Sequence, residues 1–138
     1  MNTWDAIRTK RMIRRFVDQS LAPGELERIL DAGRHAGSSK NLQRWDFIVC
    51  RDRAHLRELA TIGPYAGHLA GAAVAVALVT PDPSVADAPL SVMFDLGQAA
   101  GNMMLARPAR LPGRSPLRVP AVLRLPRGPL RAQCAPEA

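Results

Sequence analysis
Apolar positions recur at Leu26, Ile29, Leu30 and Gly33, an i, i+3, i+4, i+7 series with Glu25, Glu27, Arg28 and Asp31 between them. That spacing predicts an amphipathic helix. Pro23 suits its first turn, where the missing N–H would have no intrahelical partner anyway, and the helix is expected to end near Gly37. A polar elbow, GSSKNLQRW, follows over 37–45 and leads into WDFIVCRD, which has the length and apolar content of a buried strand. Asp52 is placed to cap a helix over RAHLRELATI, because a carboxylate just ahead of a helix accepts from the free N–H groups of the first turn. GAAVAVALVTPDP is a second short apolar run of small and β-branched residues, stopped by Pro81 and Pro83. It suits a central strand covered on both faces. From Leu90 on, Met93, Phe94, Leu96, Ala100, Met104 and Leu105 keep helical spacing. The elements together predict a layered α+β or α/β domain.

The character changes after Ala106. Residues 107–138 contain 7 Arg, 7 Pro, 5 Ala, 5 Leu and 2 Gly, so five residue types fill 26 of 32 positions. Prolines this closely spaced forbid a helix and disrupt a central strand, and the segment is expected to be disordered or extended. The same residue set arises when GC-rich DNA is translated out of frame, and the break falls inside a helical pattern. The organisation expected is therefore a domain over 1–106, followed by an out-of-frame or disordered tail over 107–138.

Charge alters the picture less than its total suggests. The chain carries a formal +7, which invites a nucleic-acid partner. Residues 1–106, however, hold 12 Lys+Arg against 11 Asp+Glu, whereas 107–138 hold 7 Arg against Glu137 alone. The basicity belongs to the tail, which has none of the aromatic side chains that single-strand binders stack on bases. Cys50 and Cys134 lie far apart with no metal-ligand spacing around either, as suits a reduced compartment. The basic start RTKRMIRRF is not followed by an apolar run, and the apolar stretch Leu69–Val79 is well short of the roughly 20 residues of a membrane helix. A soluble cytoplasmic protein is expected.

Two stretches carry candidate chemistry. KRMIRRF (10–16) packs four cations around two apolar residues; Lys10, Arg11 and Arg14 can converge on one anion where the backbone turns, and guanidinium groups grip phosphate in a bidentate way. The plain alternative is a solvated charged face. The second stretch is the elbow. In AIRTKRMIRRFVDQ, ELERILDAGRHAGSSKNLQRWDFIV and MFDLGQAAGNMMLA, the chain resembles the N-terminal half of the nitroreductase family of FMN-dependent oxidoreductases. That family's pattern is approximately R-R-S-x-R-x-F, a helix, P-S-S-x-N-x-Q-P-W and a strand, and the third stretch is similar to its central helix at the dimer interface. The resemblance covers residues 3–106 in order and spacing.

This resemblance implies a nitroreductase-like α+β layered sheet with flanking helices, incomplete after residue 106. It implies that Lys10, Arg11 and Arg14 hold the phosphate and ribityl end of FMN, with Met12 where the family usually has Ser. It also implies that Gly37, Ser38, Ser39 and Asn41 contact the flavin, commonly across the interface of a homodimer, with Gln43 and Trp45 buttressing the turn. NADH or NADPH would be the electron donor, and a nitroaromatic, quinone or similar small molecule the acceptor. Gly37 and Arg44 stand where the family has proline, which loosens the elbow. The segments that the family places after its interface helix, including a glycine-rich flavin-contacting one, have no counterpart in 107–138.

Other chemistry is weaker. His35, His55 and His68 lack metal-site spacing, Ser38 and Ser39 lack a G-x-S-x-G frame, and GPYAGHLAG lacks the Gly-Lys-Ser/Thr ending of a phosphate loop. Tyr65 is expected to pack inside, as are Met93, Met103 and Met104. The competing functional readings are an inactive truncated relative and a module that binds nucleic acid through its basic tail.

Overall fold
The computed structural model of the chain describes residues 2–81 and 91–106, together with the backbone of Leu117–Arg118. The expectations for Pro83, Leu90 and the remainder of the tail lie outside the described residues.

The helices are α1 (Thr3–Thr9), α2 (Glu25–Arg34), α3 (Arg53–Leu59) and α4 (Ser91–Ala106), and the strands are β1 (Asp46–Cys50), β2 (Val74–Val79) and β3 (Leu117–Arg118). Short 3-10 turns occupy Ser39–Asn41 and Gly67–Gly71. β1 runs antiparallel to β2 with Asp46 opposite Val79 and Cys50 opposite Ala75, while β3 pairs parallel with Val74 and Ala75 on the other edge. The order is β1-β2-β3.

Strand alternation divides the core in two, because successive side chains point to opposite faces. Phe47, Val49, Val74, Val76 and Leu78 face α2 and α4, where they meet Leu26, Ile29, Leu96 and Met103. Ile48, Cys50 and Ala75 face the other way, onto Leu56 and Leu59 of α3 and Leu69 of the second 3-10 turn. β2 is thus a central strand covered on both faces, as its composition predicts. Fully burying side chains such as Ile29, Leu56, Leu78 and Met103 stabilises the domain by about 1.5–3 kcal/mol each.

Several element boundaries depart from the expectation. Pro23 is not in the first turn of α2. The Glu25 N–H donates to Ala22 O at 3.1 Å and Gly24 takes φ +76°, so Ala22-Pro23-Gly24-Glu25 forms a turn with Pro at its second and Gly at its third position, the type II signature. α2 ends at Arg34 rather than near Gly37. α1 was not signalled by apolar periodicity; its start is fixed instead by Asn2, whose side chain accepts from Asp5 N at 2.9 Å, and it buries nothing. On α4 the inward positions are Val92, Asp95, Leu96, Ala99 and Met103, with Met93 and Phe94 turned outward. Tyr65, expected inside, is 86% exposed.

α2 and α4 meet closely at Gly33. A β-carbon there would collide with the Met103 side chain and stand 3.2 Å from Phe47. Gly33→Val should therefore destabilise the domain by about 1–3 kcal/mol in urea unfolding, with partial recovery when Met103→Ala is added. At α3, Asp52 caps by accepting from His55 N at 2.9 Å. That bond holds its carboxyl below the ordinary 3.8. A depressed carboxylate stabilises the fold above its unfolded value and loses that contribution as pH falls through the folded one. Protection of the α3 amides, taken relative to their intrinsic exchange at each pH, should accordingly fall below about pH 4 in the native chain, and Asp52→Asn should flatten that response.

Candidate functional site
The elbow begins where α2 stops. The His35 N–H donates to Asp31 O at 3.0 Å and the Ala36 N–H to Gly33 O at 3.1 Å, which closes the helix and leaves Gly37 exposed beside α4. Ser38 is extended, and the chain then turns through Lys40, Asn41 and Gln43, all non-glycine residues with positive φ of 54°, 53° and 45°. Such residues cost about 1–3 kcal/mol each and persist only where the surroundings impose the shape.

The surroundings here are an internal ring of bonds and an anchor on α4. Ser38 O accepts from Asn41 N at 2.9 Å, Ser39 O from Leu42 N at 3.2 Å and Ser38 Oγ from Gln43 N at 3.1 Å. The Ser39 N–H donates to Asp95 Oδ2 at 2.9 Å, and Gln98 Nε2 reaches Gly37 O at 3.5 Å. Trp45 then packs against the larger core cluster and delivers the chain into β1. Gln43 is tied into the turn through its backbone N–H.

This arrangement turns chemistry outward. Among the described residues the Ser39 hydroxyl and the Asn41 carboxamide have no protein partner and stand exposed. They can hydrogen-bond the edge of a flat heterocycle, with donors and an acceptor supplied together.

The basic stretch follows α1. Lys10 caps the end of that helix through its N–H to Ala6 O, and the Arg11 guanidinium donates to Arg8 O and Lys10 O at 3.0 and 2.9 Å. Lys10, Arg11 and Arg14 are all exposed, and among the described residues none of them meets a carboxylate. Met12 is 54% exposed. The segment is tied down at Phe16, whose ring stacks on His68 at 6.2 Å. Among the described residues no hydrogen bond or ion pair joins this stretch to the elbow, so no such bond brings the two stretches of the expected site together within one chain.

Residue-pattern reading passed over Asp95. It is buried, it fixes the elbow, and its only sequence signal is a carboxylate at an inward position of α4. The histidines have structural partners: His35 Nδ1 lies 2.9 Å from Asp31 O, His55 lies 3.6 Å from Asp52, and His68 stacks on Phe16. Among the described residues no group of His, Cys, Asp and Glu could hold a metal, and no helix is long and apolar enough to cross a membrane.

The described elements make an α+β arrangement in which a polar elbow is fixed to α4 beside a sheet packed on both faces. The sequence profile of the nitroreductase family matches residues 7–67. A relative from Methanothermobacter thermautotrophicus, with the provisional name NADH dehydrogenase/NAD(P)H nitroreductase, is 32% identical over 77% of this chain and 55% of its own. One from Archaeoglobus fulgidus with the same provisional name is 34% identical over 72% and 58%. Among solved structures, a provisionally named nitroreductase in complex with FMN from Desulfovibrio desulfuricans superposes with TM-score 0.65 at 31% identity, covering 77% of this chain and 62% of that one. An FMN-dependent nitroreductase from Clostridium difficile superposes equally well, TM-score 0.65 at 29% identity, over 75% and 59%. The chain spans a little over half the length of the curated relatives it matches.

Ser38 is the inner support of the elbow. Ser38→Ala removes the acceptor of the Gln43 N–H and should cost about 0.5–1.5 kcal/mol. Chemical denaturation reads the loss, and faster amide exchange confined to 41–45 would locate it.

Proposed function
We propose that residues 1–106 form the flavin-binding part of an FMN-dependent NAD(P)H oxidoreductase that reduces nitroaromatics, quinones or similar electron-poor small molecules. The observation that carries this reading is the elbow: a strained turn, fixed from behind, with a free hydroxyl and a free carboxamide turned to solvent. The second support is a cluster of three cations that no carboxylate neutralises among the described residues.

The residues present fit FMN. Lys10, Arg11 and Arg14 would hold its phosphate and ribityl end by charge-assisted bonds, and Met12 adds an apolar contact where a hydroxyl would otherwise stand. Gly37, Ser38, Ser39 and Asn41 would present backbone and small polar groups to the ring. When bound, FMN supplies hydride chemistry between nicotinamide and acceptor, the two taking turns in one pocket. The chain's own task is to bind, orient and keep the ring edge hydrogen-bonded. No side chain of the elbow is placed as an acid or base.

A homodimer completes this reading, because among the described residues no hydrogen bond or ion pair joins the basic stretch to the elbow within one chain. Trp4 and Ile7 on α1 and Phe94 on α4 stand in solvent, with Trp4 68% and Phe94 71% exposed, and large apolar side chains so placed mark interaction surfaces. The acceptor and the nicotinamide are small molecules, a nucleic-acid or membrane partner has no part in this scheme, and a cytoplasmic location supplies both NADH and NADPH.

Arg11→Ala and Arg14→Ala should each weaken FMN binding by about 1.5–3 kcal/mol, the value of a charge-assisted contact. Fluorescence quenching of FMN on titration with the full chain measures this, and unchanged affinity in both variants removes the phosphate assignment. The visible spectrum across a size-exclusion peak tests the assembly: flavin absorbance at dimer size is expected, and a colourless protein would point to an inactive relative.

A further inference from the structure
Asp95 is a charged side chain held in the interior, 7% exposed, on the inward face of α4. Burying a carboxylate is unfavourable unless it is hydrogen-bonded, so its partner identifies what the burial secures. That partner is the backbone N–H of Ser39, 56 residues away in sequence and 2.9 Å away in space. Asp95 also lines a cavity of about 10 Å³ with Ser39, Arg44 and Trp45.

The elbow's other short bonds are internal. Ser38 O, Ser39 O and Ser38 Oγ accept from Asn41, Leu42 and Gln43, and these close the turn on itself without attaching it to the domain. Among the described residues two polar bonds reach from the elbow to α4, and the one from Gln98 stands at the 3.5 Å limit. The turn also carries three non-glycine residues at positive φ, a shape that relaxes when its restraint is removed. A carboxylate suits the restraint better than an amide, because it is an acceptor only and brings no second donor needing a partner inside the fold.

We propose that Asp95 is a positioning residue: by accepting the Ser39 N–H it latches the elbow to α4 and sets the direction in which the Ser39 hydroxyl and the Asn41 carboxamide meet the flavin ring. The positioning role rests on the flavin reading of the elbow; the latch itself does not.

The test follows amide exchange by mass spectrometry and FMN affinity by fluorescence quenching, on the full chain and four variants. Asp95→Ala removes the acceptor. Ser39→Pro removes the donor instead, and Ser38 at φ −138°, ψ 148° already has the extended geometry that a residue before proline requires. Asp95→Asn keeps an oxygen acceptor, and Ser39→Ala keeps the N–H while removing the hydroxyl. Asp95→Ala and Ser39→Pro should each speed exchange over 37–45 and weaken FMN binding, both by about tenfold or more, with α2 and β2 still protected. Asp95→Asn should recover most of both readouts, and Ser39→Ala should leave elbow exchange at the native rate. If Asp95→Ala also loses protection in α2 and β2, Ser39→Pro decides. Native elbow exchange in Ser39→Pro overturns the latch, and faster exchange with unchanged FMN affinity overturns the positioning role. A native chain that binds no FMN overturns the flavin reading and the positioning role with it, while the exchange measurement still decides the latch.

Discussion
The close approach of α2 and α4 at Gly33 is the contact on which the rest depends. A helix pair can come this near only where one side chain is absent, and Met103 fills the space that Gly33 leaves. Asp95, Ala99 and Met103 lie at i, i+4 and i+8 of α4 and all are buried, so the residue that packs under α2 and the residue that anchors the elbow share one helix face. Their separation is about 12 Å along the axis, two helical turns. The elbow leaves α2 and is fastened to α4, and its position therefore follows from how those two helices meet.

Much of this fold is legible in the sequence because it rests on local pattern. α2 follows from its apolar spacing, α3 from its Asp52 cap, and β1 and β2 from short apolar runs bounded by polar or turn residues. Where the reading departs from the structure, pattern was ambiguous. Pro23 can open a helix or a type II turn, and Gly24 at φ +76° decides for the turn. α4 is apolar or small nearly all round, with Gly97, Ala99, Ala100 and Gly101 in its middle, so hydrophobicity alone does not say which face turns inward. Phe94 goes out and Asp95 goes in. Tyr65 sits in a Gly- and Pro-containing loop where no strong packing partner constrains it.

The candidate site divides in the same way. Its residue types were suggested by resemblance to a family, since hydroxyl, amide and cation at those spacings are weak signals one by one. Its shape was not. Gln43 has no local reason to adopt left-handed backbone, and Asp95 has no local reason to be buried; each is explained by a hydrogen bond whose other end lies elsewhere along the chain or deeper in the turn. Long-range polar pairs leave no periodicity to read.

Six residues, Lys40 to Trp45, separate Ser39 from the start of β1 at Asp46, and the side chains of β1 alternate between two different cores. The elbow is thus a ruler as well as a platform. Adding or deleting a single residue between Ser39 and Asp46 would slip the strand by one, exchanging Phe47 and Val49 with Ile48 and Cys50 across the sheet. An aromatic ring would then be pressed into the space fitted to Ile48, and a thiol would face the helices. The length of this turn is consequently fixed by the sheet beneath it, independently of anything the turn binds.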